Sequence, residues 1–155
     1  MALLANDTKG SFYGVQVAGL CNSGPYGAKS DEELSRAWGV QIAPGNFGDA
    51  VGVQVGLLNG LVFSHDVPHN DLVGGQVGLW NGGGDVYGVQ VGAIGSSAKD
   101  LYGVQCGAVT FAGRARGVQI GLWNTVMERG GLQIGLLNYN AASIVPWFPF
   151  VNFSW

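Results

Sequence analysis

Gly117-Val118-Gln119-Ile120-Gly121-Leu122-Trp123-Asn124 is followed fourteen residues later by Gly131-Leu132-Gln133-Ile134-Gly135-Leu136-Leu137-Asn138, and the reading of this pair decides the fold. The glycine-centred motif recurs from Gly14, Gly39, Gly52, Gly74, Gly88 and Gly103, giving eight copies between about residues 12 and 138. All eight glutamines of the chain, Gln16, Gln41, Gln54, Gln76, Gln90, Gln105, Gln119 and Gln133, stand at the centre of a copy. No charged residue falls within the eight positions that begin at each motif glycine. A self-similarity of this strictness identifies a repeat architecture in a single domain spanning residues 1–155.

Alternation with period two and β-branched residues reads as strand, so the chain is all-β. In the copy at Gly88, Tyr87, Val89, Val91 and Ala93 share one apolar face, and Gly88, Gln90 and Gly92 share the other. Successive glutamines lie 25, 13, 22, 14, 15, 14 and 14 residues apart. With strands of about ten residues, only a short connection remains, whereas a parallel crossover takes a dozen residues or more. That arithmetic predicts an antiparallel up-and-down meander or a small closed β-barrel, with the glutamines as an interior belt and Tyr87, Val89 and Val91 facing lipid. The alternative is a β-solenoid of 14-residue coils, in which each motif breaks at its second glycine and Asn59, Asn81, Asn124 and Asn138 form a corner ladder. Against the solenoid, segments such as Thr125–Arg129 lack the alternating apolar residues that a second inward strand would need.

Composition narrows the function classes. The chain is 47% hydrophobic but only 11% charged, with 28 glycines in 155 residues and a net charge of −3. A soluble domain is about 25% charged, so much of this surface is covered by lipid, by other subunits, or by neutral polar groups. Seven unclustered basic residues exclude a nucleic-acid partner. Cys21 and Cys106 read as free, half-buried thiols. Met1-Ala2-Leu3-Leu4-Ala5 has neither the basic nor the apolar region of a signal peptide. No apolar run reaches the ~20 residues of a spanning helix, which leaves strands as the means of any membrane insertion.

Three segments stand outside the repeat. Ser30 and Glu33 match a capping box, predicting a two-turn helix toward Trp38. Ser64–Asp71 holds both histidines, His65 and His69, with Asp66 and Asp71; Pro68 breaks the helical spacing that would converge them on a metal, so the segment reads as a polar loop. Residues 144–155 are dense in aromatics, with Val151, Phe153 and Trp155 alternating, and read as a terminal strand or an apolar cap. There is no nucleophile elbow, P-loop, zinc signature or paired carboxylate at motif positions, so no catalytic residue, cofactor or metal site is assigned and the chain reads as non-enzymatic.

Gly117–Asn124, Gly131–Asn138 and Pro146–Trp155 resemble the units of bacterial surface-repeat proteins built from Gly-[Leu/Val]-Gln-[Ile/Val]-Gly-Leu-x-Asn, over about residues 12–155. The resemblance implies an exported protein of a double-membraned bacterium, at the outer membrane or cell surface, with a structural or interaction role. Its partners would be the bilayer or other copies of itself, with no small-molecule substrate identifiable. The alternative function is an extracellular solenoid scaffold, adhesin or fibre-forming protein.

Overall fold

Glycine and glutamine fall into vertical register because consecutive motifs lie side by side and run parallel. In the computed structural model, which describes residues 4–7, 11–23, 36–60 and 70–154, β2 (Phe12–Val17), β4 (Ala37–Ile42) and β6 (Ala50–Val55) pair in parallel with Gln16, Gln41 and Gln54 opposite one another. β8 (Leu72–Asn81) continues the stack, followed by β9 (Asp85–Arg129) and β10 (Leu132–Asn140). A second parallel column is formed by β1 (Ala5–Asp7), β3 (Cys21–Ser23), β5 (Gly45–Phe47) and β7 (Leu58–Asn59), and it joins the end of β8 at Asn81. β9 runs unbroken for 45 residues. Extended, it would reach about 150 Å; instead it winds through three coils and stacks Gln90, Gln105 and Gln119.

The fold is all-β, a single unclosed sheet of eleven strands wound as a solenoid. The antiparallel meander and closed barrel are therefore corrected: the motif segments pair in parallel from β2 through β4, β6 and β8 to β9, and again from β9 to β10. Strand length is the reason. The motif strands β2, β4 and β6 are six residues long rather than ten, and the ten-residue β8 is two such segments end to end, pairing with β6 up to Val77 and with β7 from Trp80, so a 14-residue period leaves about eight for the return. Those eight turn at the second glycine, form the asparagine segment and come back along a third side, so the coil itself is the crossover that parallel pairing needs.

The core is thin. Ala50, Leu72, Val86, Ala98, Leu101, Ala112, Ala115 and Val126 form one apolar cluster inside the stack, and most of the other large buried side chains are glutamine and asparagine amides. The return segments that follow Gln90, Gln105 and Gln119 each contribute a single inward apolar residue, Ala98, Ala112 and Val126. A second alternating strand was not needed, because glutamine side chains cross the interior and fill it.

Glycine is compulsory at the first motif position. Gly39, Gly52, Gly74, Gly88 and Gly103 have φ between +134° and +149°, and a Cβ there would lie within 2.0 Å of the preceding coil's glycine carbonyl oxygen. The second glycine makes room for the asparagine column: a Cβ on Gly78 would meet the Asn59 amide at 2.7 Å.

The final strand, β11 (Trp147–Phe153), reverses direction and pairs antiparallel with β10. It is an edge strand, where proline is tolerated, and Pro149 precedes the one positive-φ non-glycine residue among those described, Phe150 (φ 67°), near a register shift. Strand and cap are thus the same element. The helix expected from Ser30 and Glu33 and the histidines His65 and His69 lie outside the described residues, as does Trp155; Ala37 and Trp38 belong to β4. The described coils end at Ser23 and Gly60, each one position after a column asparagine, Asn22 and Asn59, and resume at Arg36 and Asn70.

Candidate functional site

The eight motif glutamines come together as one ladder. Gln41 Nε2 donates to Gln16 Oε1, and so on coil by coil to Gln133 donating to Gln119, at 2.7 to 3.0 Å. The second amide proton of Gln90, Gln105, Gln119 and Gln133 goes across the interior to the backbone carbonyls of Ser97, Phe111, Thr125 and Tyr139. Each glutamine from Gln41 onward thus ties its coil to the one before, and the last four also brace the third side of their own. Burying an amide is costly without partners, and this arrangement supplies them. At the end of the stack Gln133 Oε1 has no partner among the described residues.

The asparagines form a second ladder with the donors aimed the other way. Asn6 donates to Asn22, Asn22 to Asn46, Asn46 to Asn59 and Asn59 to Asn81, at 2.8 to 2.9 Å, and Asn124 to Asn138 at 2.7 Å. The same side chains also fix the next coil's strand end, as in Asn59 to Val77 O and Asn124 to Ile134 O. The column is interrupted where Ser96 stands opposite Asn81, leaving Asn81 Nδ2 without a partner among the described residues. Thr110 resumes it by donating to Asn124.

With amides inside, apolar side chains face out. Tyr13, Val53, Val89 and Ile120 on the motif side, and Leu57, Leu79, Leu122 and Leu136 on the asparagine side, are exposed. The parity expected for Tyr87, Val89 and Val91, outward, and for the glutamines, inward, holds in the solenoid.

Charge is confined to one corner. Arg36, Asp49, Asp71, Asp85, Asp100, Arg114 and Glu128 each sit five residues before a motif glutamine, and Lys99, Arg116 and Arg129 lie beside them. Among the described residues, Asp7 is the one charge elsewhere. This column was missed in the sequence, although its constant offset from Gln41 onward was there to be read. The carboxylates of Asp49 and Asp71 accept the backbone N–H of Asp71 and Asp85, both at 2.9 Å. Arg114 grips Asp100 through two hydrogen bonds and lies 3.8 Å from Glu128. Partial burial, then the charges of Asp71 and Asp100, raise the Asp85 carboxyl above its ordinary range. Among the described residues no His, Cys, Asp and Glu group is arranged to hold a metal, and Cys21 and Cys106 are free and half-buried.

Compared with known proteins, the chain gives no match: no family model, no curated protein and no solved structure matches it.

Proposed function

We propose that the chain is a non-enzymatic β-solenoid scaffold of the bacterial surface, which works by packing its apolar faces against other copies of itself. One observation carries this reading: the amides are inside, and two outer faces present valine, leucine and aromatic side chains, interrupted among the described residues only by Arg116 on the motif side and Asp7 at the start of the asparagine column. Contiguous exposed apolar area of this kind marks an interaction surface, and flat neutral sheets associate laterally, about 10 Å apart, through interdigitated side chains. The likeness of Gly117–Asn124 and Gly131–Asn138 to bacterial surface repeats supports an exported location.

A bilayer is the competing partner for the same faces. An unclosed sheet carries unpaired backbone groups at its ends, which suits a span poorly, since spanning strands must close into a barrel. Sedimentation of the 16.1 kDa chain in buffer, with and without mild detergent, separates the two. A soluble multimer in buffer is the expected result, falling to monomer when Val89 and Leu122 are replaced by Lys. A chain that disperses only in detergent, as a monomer, would overturn self-association in favour of lipid.

A further inference from the structure

The charged corner ends differently from the way it runs. Tyr87 and Tyr102 stack with ring centroids 4.6 Å apart, and Arg116 lies 5.5 Å from the Tyr102 centroid, continuing the outward column by one coil. Fourteen residues later the chain has Gly130, which brings no side chain. A groove of about 770 Å³ opens there, lined by Arg116, Val118, Arg129, Leu132 and Phe153 together with the glycines between them. The gap is built in, because a Cβ on Gly130 would collide with the buried Asn140 amide at 2.0 Å.

Arg116 and Arg129 are both exposed, and among the described residues neither has a carboxylate within 4.0 Å. The nearby acids face Arg114: Asp100 is held by it and Glu128 lies 3.8 Å from it, in a recess of about 300 Å³ on the other side of Arg116 and Arg129, which line both hollows. Two exposed guanidinium groups with no carboxylate partner among the described residues, at the rim of an apolar groove, are complementary to a ligand with an anionic head and a hydrocarbon body. The guanidinium fork matches carboxylate and phosphate oxygens, and the volume is within the range of small-molecule sites.

We propose that this groove binds an anionic amphiphile, its carboxylate or phosphate head on Arg116 and Arg129 and its chain along Val118, Leu132 and Phe153. The site goes beyond the scaffold role, and a binding titration tests it separately from molar mass. The purified chain is titrated calorimetrically with dodecanoate and dodecyl phosphate below their micelle thresholds, with inorganic phosphate and dodecyl maltoside as head-only and uncharged-head controls. Saturable binding of either dodecyl anion is expected, with the controls at least tenfold weaker. The double variant Arg116→Gln, Arg129→Gln should weaken it by about 10- to 100-fold, the worth of charged hydrogen bonds. Val118→Trp, which fills the groove and leaves both arginines, should also abolish it. Circular dichroism unchanged from the parent verifies that both variants fold. No binding of either anion, equal binding of a control, or undiminished binding by the double variant would each overturn the proposal.

Discussion

A methyl group on Gly103 would lie 1.9 Å from the Gly88 carbonyl oxygen, at a φ of +149°. Gly103→Ala should therefore destabilise the fold by about 3 kcal/mol or more in chemical denaturation, combining backbone strain with a clash. Gly75 is the contrast. It occupies the place of Val89 in the next coil, and a Cβ there meets nothing closer than 3.8 Å. Gly75→Val should be neutral or stabilise by about 0.5–1 kcal/mol. Gln105→Leu strands the Gln90 Oε1 acceptor and one Gln119 amide proton in the interior, and should cost about 2–4 kcal/mol. Asp85 gives the pH dependence. Its raised value in the fold means that the protonated form is favoured there; its contribution is complete below the unfolded carboxyl value of about 3.9 and is lost as pH rises through the folded value. Asp85→Asn does not titrate, so its melting temperature should exceed the parent's at pH 7, and the gap should close toward pH 4.

At the scale of the strand, the interrupted asparagine column is the most informative place. Ser96→Asn supplies an acceptor opposite the unpartnered Asn81 Nδ2 and should raise the unfolding free energy by about 1 kcal/mol; a decrease would mean that the extra residue of this coil leaves no room. The strands, their period and the direction of Gln90 and Val89 were legible, because each follows from alternation along a single segment. The pairing direction was not. It turned on whether a motif strand holds six residues or ten, and Val86–Ala93 alternates well enough to support either. The return segment misled for a related reason: Thr125–Arg129 looked too polar to face inward, yet it needs only Val126 inside, because Gln119 reaches across to the Thr125 carbonyl. A glutamine's reach does not register as hydrophobic pattern. The charged corner stands at a fixed offset from the glutamines, but the column mixes Arg, Asp and Glu, so no single residue type marks it as a repeat position.

For the whole molecule, each coil contacts its neighbours alone, so stability should be close to additive in coils. Deleting residues 101–114, one full coil, brings Gln119 onto Gln90 and should leave a folded, cooperative solenoid with unchanged strand content per residue by circular dichroism. Deleting 101–107, half a coil, should abolish folding, since every later residue then meets the wrong partner. The opposed ladders give this additivity a physical basis. Glutamine amides point their donors toward the start of the chain and asparagine amides toward its end, so two columns of aligned dipoles lie head to tail beside one another. In an α-helix such dipoles all add, and partial charge collects at the termini. Here they oppose, little field gathers at either end however many coils are stacked, and lengthening the protein by another repeat carries no growing electrostatic penalty.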